Sequence, residues 1–312
     1  MKILVLGANG QVGFELMRAL APAGDLVGAT REGGEGKAAV DLADAASLAA
    51  LLDAARADLI VNAGAYTAVD RAEDEPQLAD RVNHRAVAEI GAWAARHGAG
   101  VVHYSTDYVF DGTMARPYRE DDPTAPLGVY GRTKLDGENA LRESGAHHLI
   151  LRTAWVYAAR GRNFLLTMLR LAGERDTLRV VDDQIGAPTS ARLIADTTAT
   201  VLARWLPAIE TRDRRFDGIH HLAARGRCSW HAFAEAILSG AADRGLIART
   251  PRIEPIATRD YPTRARRPAW SVLDCERLET AFGLQLPDWR AGLEAVLDEL
   301  ATRAPSRPEP SP

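Results

Sequence analysis

Short apolar runs alternate along the chain with longer stretches whose apolar residues recur at helical spacing. The runs at 2–6, 26–30, 59–62, 101–105 and 149–152 are rich in Val, Leu and Ile and predict buried strands. Between them, 12–20, 43–55, 78–97 and 131–143 predict helices. In the first of these Val12, Leu16 and Leu20 recur every four residues and form one apolar face, which Pro22 and Gly24 bring to an end. Strands and helices in alternation predict parallel pairing, with helices over both sheet faces. Residues 1–156 therefore read as a Rossmann-type, doubly wound α/β domain with a parallel sheet.

The pattern loosens in the second half. A helix at 164–171 precedes Asp182-Asp183-Gln184-Ile185-Gly186-Ala187-Pro188-Thr189, a segment rich in turn formers. A helix at 191–205 and a strand at 218–222 are expected to return to the sheet. Ser229 is placed to N-cap a helix at 230–238. The stretch 250–272, rich in proline and arginine, reads as an ordered loop system, 294–300 as a helix and 304–312 as a disordered tail. Residues 157–303 thus predict a smaller, discontinuous C-terminal lobe that takes the substrate.

Composition narrows the class. At 312 residues, 46% hydrophobic and 26% charged, the chain is an ordinary globular mixture with room for one large core or two modest ones. A net charge of −4 supplies no basic field for nucleic acid. No apolar stretch reaches bilayer length and no leader pattern precedes the first strand, so no membrane partner is expected. Cys228 and Cys275 stand far apart without metal-ligand spacing, which predicts buried free thiols, a reducing cytoplasm and no metal site.

Two segments carry chemistry. Gly7-Ala8-Asn9-Gly10-Gln11-Val12-Gly13 follows a strand and opens a helix, the setting in which a glycine turn and a helix N-terminus hold a pyrophosphate. Gly7 suits the tight turn, Gly10 the close approach of backbone to ligand and Gly13 the packing of helix on strand. Where an acidic residue would select NADH, Thr30 and Arg31 end the second strand; a guanidinium favours a 2′-phosphate, hence NADPH, with NADH still possible. Asp41 and Leu42 are expected near the adenine, and Ala65, Tyr66 and Thr67 on the ribose side. Tyr130 and Lys134, four residues apart, share one helix face. A nearby ammonium is expected to lower the phenol's pKa toward the range of a useful general acid. Thr106 ends the fifth strand, where its hydroxyl can meet a reacting oxygen. His220 and His221 point to opposite faces of one strand and make poor co-ligands.

These features, with the segments 101–112, 152–157 and 183–189, resemble the dTDP-4-dehydrorhamnose reductases of the extended short-chain dehydrogenase/reductase family, up to about Leu300. The resemblance implies that NADPH reduces the 4-keto group of dTDP-4-dehydro-β-L-rhamnose. It makes Tyr130 the proton donor, Lys134 the holder of the nicotinamide ribose and Thr106 an assisting group. It adds Gln11, Val12 and Tyr104 to the cofactor contacts, and gives Thr106, Asp107 and Trp155 to the sugar nucleotide. Asn163, Gln184 and Arg267 are further candidates for that substrate, Arg267 coming from the cluster Arg259, Arg264, Arg266 and Arg267. Some relatives dimerise around magnesium held by carboxylates. Here Arg192 stands where a carboxylate would serve, which makes Mg2+ doubtful and predicts a monomer or weak homodimer. Two alternatives stay open: a reductase of another dTDP-4-keto-6-deoxysugar, and an NADP-binding regulatory subunit like that of methionine adenosyltransferase.

Overall fold

The computed structural model describes residues 1–303; the expected tail at 304–312 lies outside the described residues. Alternation of strand and helix produces β1 (Lys2–Leu6), α1 (Gln11–Ala19), β2 (Asp25–Thr30), β3 (Lys37–Ala39), α2 (Ala45–Ala55) and β4 (Leu59–Asn62). There follow α3 (Val69–Ala72), α4 (Pro76–Asp80), α5 (Ala86–His97), β5 (Gly100–Thr106), α6 (Val129–Glu143) and β6 (His147–Thr153). The sheet has seven parallel strands in the order Gly218–His221, β6, β5, β4, β1, β2, β3. The returning strand pairs with β6, Gly218 opposite Leu149.

Period-two alternation sends side chains to both faces. Ile3, Val5, Leu59, Val61 and Val102 pack on one side with Leu16 and Leu20 of α1 and with Val201 and Trp205. Leu4, Leu6, Ile60, Val101 and Ile150 pack on the other with α2 and α5. Each such aliphatic side chain, removed from water, contributes about 1.5–3 kcal/mol. Two covered faces explain why these strands are apolar throughout rather than alternating.

The single helix expected at 78–97 is interrupted. One π-helical turn, Arg81–Arg85, joins α4 to α5. It carries the buried Asn83, whose Oδ1 accepts from the Tyr66 N–H at 2.8 Å and whose Nδ2 donates to the Tyr66 carbonyl at 3.1 Å and to Thr133 Oγ1 at 3.2 Å. Residues 66, 83 and 133 are thus tied together.

The C-terminal half adds β7 (Val156–Tyr157), α7 (Phe164–Glu174), β8 (Thr177–Val181), β9 (Ile185–Gly186), β10 (Thr189–Ser190), α8 (Ala191–Glu210) and β11 (Gly218–His221), the strand already met in the sheet. Then come β12 (Cys228–Ser229), α9 (Trp230–Asp243), β13 (Arg252–Ile256), α10 (Glu276–Phe282) and α11 (Trp289–Arg303). Ser229 caps α9 by accepting from the Ala232 N–H. Leu165, Met168, Phe233, Ile237, Trp289 and Leu293 form a separate core from α7, α9 and α11. The segment 250–272 is not all loop: β13 pairs in parallel with β8. Pro255 conceals it in the sequence, since proline gives the ladder no N–H and is tolerated only in such edge positions.

Candidate active site

The carboxyl ends of the strands meet the site where β1 lies between β2 and β4 and the strand order reverses. Gly7 leaves β1 with φ +75°, in the left-handed region. A Cβ on Gly13 would stand 2.1 Å from the Gly7 carbonyl oxygen, so glycine alone lets α1 start this close to the turn. Gly10 is the N-cap and supplies no side-chain cap. The first-turn N–H groups of Gln11, Val12 and Gly13 have no acceptor within the helix and suit an anion. Leu42 and Gly64 close the far side: a Cβ on Gly64 would meet the Leu42 side chain at 2.7 Å, and one on Gly7 the Gly64 nitrogen at 2.8 Å. The turn therefore fits a dinucleotide's pyrophosphate, with Ala65, Tyr66 and Thr67 next in the chain after this wall.

Arg31 extends from the end of β2 with 72% of its side chain exposed, 3.8 Å from Asp41 Oδ1. Asp41 also accepts from the Ala43 N–H. The guanidinium and the carboxylate, both assigned to the adenine end, thus lie together.

Tyr130 and Lys134 project from α6. The helix approaches so closely that a Cβ on Gly131 would lie 2.1 Å from the Tyr108 carbonyl oxygen. Tyr130 packs edge-on against Tyr108, with ring centroids 5.8 Å apart, and shares an apolar cluster with Tyr66 and Val129. The Thr106 hydroxyl lies near enough to the Tyr130 phenol to favour its ionisation. The expected lowering of the phenol's pKa is absent: burial pushes Tyr130 up to about 12, and Thr106 pulls only partly back. The physical reason is the direction Lys134 takes. Its Nζ turns inward, donating to the Tyr104 carbonyl at 2.6 Å beside His103 Nε2 at 3.2 Å. Burial also brings this ammonium down to about 8 against the pull of Glu138.

β5 and α6 meet in register. His103 and Ser105 share a strand face, and Lys134 and Glu138 stand one helical turn apart. The Ser105 hydroxyl donates to Glu138 Oε1 at 2.5 Å, and Arg152 of β6 closes a buried pair on Glu138 at 2.7 Å. The Tyr104 phenol goes to the other face, where it hydrogen-bonds Thr198 of α8 at 2.8 Å. Its backbone carbonyl, not its ring, faces Lys134.

Asp107 is buried beside Thr106, which donates to its Oδ1 at 3.1 Å; burial pushes this carboxyl up to about 7. Trp155 adopts φ +48°, uncommon for a residue with a Cβ, and stacks on Trp230 at 3.5 Å between ring centroids. Asn163 is spent on structure: it caps α7 through the Leu166 N–H and donates to Gln11 Oε1 and to the Ala158 and Arg160 carbonyls. Gln184 is buried and donates to Thr258 Oγ1 at 3.0 Å. These bonds fix where both side chains stand. Arg267 pairs with Asp70 of α3 at 2.8 Å and lies within hydrogen-bonding reach of Tyr108; its neighbour Arg264 pairs with Asp74.

Sequence reasoning passed over Asn83, His103, Tyr108 and Trp230. A polar residue inside an apolar stretch was the available signal for His103; Asn83, between Arg81 and Arg85, offered none. Among the described residues Asp80, His84 and Asp136 form the one group close enough to share an ion. Both Asp80 oxygens are already taken, by His84 at 2.8 Å and Arg85 at 2.7 Å, so the group reads as ion pairing. No helix of the described residues is long and apolar enough to cross a membrane. Cys228 is buried and Cys275 half-buried, both free, and burial pushes both thiols up to about 12.

The family model for the RmlD substrate binding domain matches residues 1–302. The chain belongs to this family. It is similar to the dTDP-4-dehydrorhamnose reductase of Burkholderia thailandensis, 48% identical over 97% of this chain and 100% of that one. It is also similar to the Escherichia coli K12 protein of the same name, 45% identical over 97% and 99%. Among solved structures, that of the Bacillus anthracis dTDP-4-dehydrorhamnose reductase in complex with NADP superimposes with a TM-score of 0.83 at 32% identity, covering 96% of this chain and 99% of that one. The Clostridium acetobutylicum ortholog gives 0.84 at 33%, with the same coverage.

Proposed function

We propose that this protein is an NADPH-dependent oxidoreductase that reduces the 4-keto group of dTDP-4-dehydro-β-L-rhamnose to dTDP-β-L-rhamnose, the last step of dTDP-rhamnose biosynthesis. One observation carries the reading: in a chain of this family, the buried Tyr130 phenol, with Thr106 close by, stands at the carboxyl edge of the same sheet as the glycine turn. Bound NADPH supplies the hydride. Tyr130 supplies the proton to the ketone oxygen. At about 12 the phenol keeps that proton until charge develops. The alkoxide then formed is far more basic than a phenolate, so transfer runs downhill. Thr106 orients the phenol and shares the developing charge, and Lys134 serves the nicotinamide ribose. Arg31 reads the 2′-phosphate once released from Asp41.

In this organisation residues 1–156, with the return segment 191–222, hold the dinucleotide, and 157–303 supply most of the sugar-nucleotide lobe. Asp107, Trp155 and Arg267 face the substrate. Two free cysteines support a cytoplasmic setting, and Arg192 at the start of α8, 3.9 Å from Asp196, supports a monomer or weak homodimer without a bridging Mg2+.

The test is a coupled assay on enzymatically made dTDP-4-dehydrorhamnose, following NADPH absorbance and identifying the sugar by NMR. Tyr130→Phe should cut kcat by roughly 10²–10⁴ with NADPH affinity little changed. A product epimeric at the 4-position would overturn the product assignment, a tenfold preference for NADH the role of Arg31. NADP binding with no reduction, together with co-purification of methionine adenosyltransferase, would favour the regulatory subunit.

A further inference from the structure

Beneath Tyr130 lies a hydrogen-bond chain that proton donation does not explain. Asn62, ending β4, sits in register with His103 of β5. The Gly64 N–H donates to Asn62 Oδ1 at 3.1 Å, which fixes the amide so that Nδ2 faces His103 Nδ1, also at 3.1 Å. An amide nitrogen only donates, so Nδ1 must accept. His103 is fully buried, and burial holds it well below the usual histidine range, so the ring is neutral. A neutral ring that accepts at Nδ1 carries its proton on Nε2. That proton meets Lys134 Nζ at 3.2 Å. An ammonium has donors and no acceptor, so N–H would face N–H. A neutral amine removes the conflict: its lone pair accepts from His103, and one of its N–H groups donates to the Tyr104 carbonyl at 2.6 Å.

We propose that Lys134 is a neutral amine in the dinucleotide-free protein, locked there by the Asn62–His103 pair, and that it takes up one proton from solvent when the dinucleotide binds. The inference rests on the reading of this edge as the dinucleotide site. Hydroxyl acceptors and negative charge brought by the ligand favour the ammonium, which then gives up its bond from His103. Burial, which brings Lys134 down to about 8, acts in the same direction as the hydrogen-bond count. Of the groups packed around it, Glu138 favours the ammonium, but its carboxylate is held by Arg152 and Ser105. Tyr130 on the same helix is an uncharged phenol, and Asn62, His103 and the Tyr104 carbonyl are neutral. Asn62 and His103 are positioning residues, acting through Lys134.

Calorimetric titration with NADP+ at about pH 9, in buffers of low and high ionisation enthalpy, reads the proton directly. The wild type should take up a large fraction of one proton per site. Asn62→Asp replaces the donor to Nδ1 by an acceptor while an oxygen remains for the Gly64 N–H. His103 then carries its proton on Nδ1, Nε2 accepts from an ammonium, and uptake should fall toward zero. No uptake by the wild type, or equal uptake by the variant, overturns the proposal. Should the variant not fold, long-range 15N–1H spectra of the wild type decide: His103 protonated on Nε2 supports it, on Nδ1 overturns it. Failure of NADP+ to bind at all would instead overturn the dinucleotide-site reading, and the coupling with it.

Discussion

Asp107 shows how one buried side chain makes stability depend on pH. Burial keeps its carboxyl protonated up to about pH 7, although the Ser271 and Thr106 hydroxyls favour ionisation. In the unfolded chain the same group releases its proton near pH 4, the ordinary aspartate value being about 3.9. Between the two values the native state binds more protons, so this residue's contribution to stability declines as pH rises from about 4 to about 7 and is level outside that window. Asp107→Asn stays neutral throughout. Calorimetry should find the variant's Tm moving upward relative to wild type, by several degrees, across that interval. A gap independent of pH would mean that Asp107 is ionised in the fold. Tyr130 contributes no such dependence near neutrality, because at about 12 it remains a phenol.

At the scale of the element, α6 owes its reach to Gly131. With only 2.1 Å between an added Cβ and the Tyr108 carbonyl, the helix must retreat if the residue grows, and Tyr130 beside it moves too. Gly131→Ala should lower stability by about 1–3 kcal/mol, the usual cost of overpacking, and lower kcat as well. Gly173→Ala in α7, where nothing stands within 4 Å, is the control and should be neutral or stabilising by up to about 1 kcal/mol. Equal effects from the two substitutions would show that proximity to Tyr108 is not what matters. The glycine turn and the Tyr130–Lys134 spacing were legible in the sequence because both are local: a turn and one helical period. The tie of Asn83 to Tyr66, the stack of Trp155 on Trp230 and the bond from Lys134 to the Tyr104 carbonyl depend on which elements become neighbours. The raised pKa of Tyr130 was hidden for the same reason, since burial is a property of the assembled site.

For the whole molecule, parallel pairing with helices over both faces was legible, because apolar strands alternating with helices pack in few ways, whereas the order of the strands was not. How the C-terminal half is held was not. The ion pairs of Arg267 with Asp70 and of Arg264 with Asp74 fasten the 264–267 segment to α3 and the turn that follows it. They join residues nearly two hundred positions apart. Arg192 is exposed at the start of α8, 3.9 Å from Asp196, and on the proposed reading no ion bridges two copies there. Light scattering should therefore return the same mass with and without EDTA, and an EDTA-sensitive dimer would overturn that view.

The π-helical turn at Arg81–Arg85 has a consequence for the chain's tolerance of length change. Such a turn holds one residue more than an α-helix would use over the same rise. Deleting a single residue there would restore regular winding and cost no intrahelical bond, yet it would swing everything on one side by about 100°, the angle one residue subtends at 3.6 per turn. Asn83 would leave Tyr66 and Thr133, and the wall of the nucleotide cleft would lose its anchor while the helix itself looked better formed.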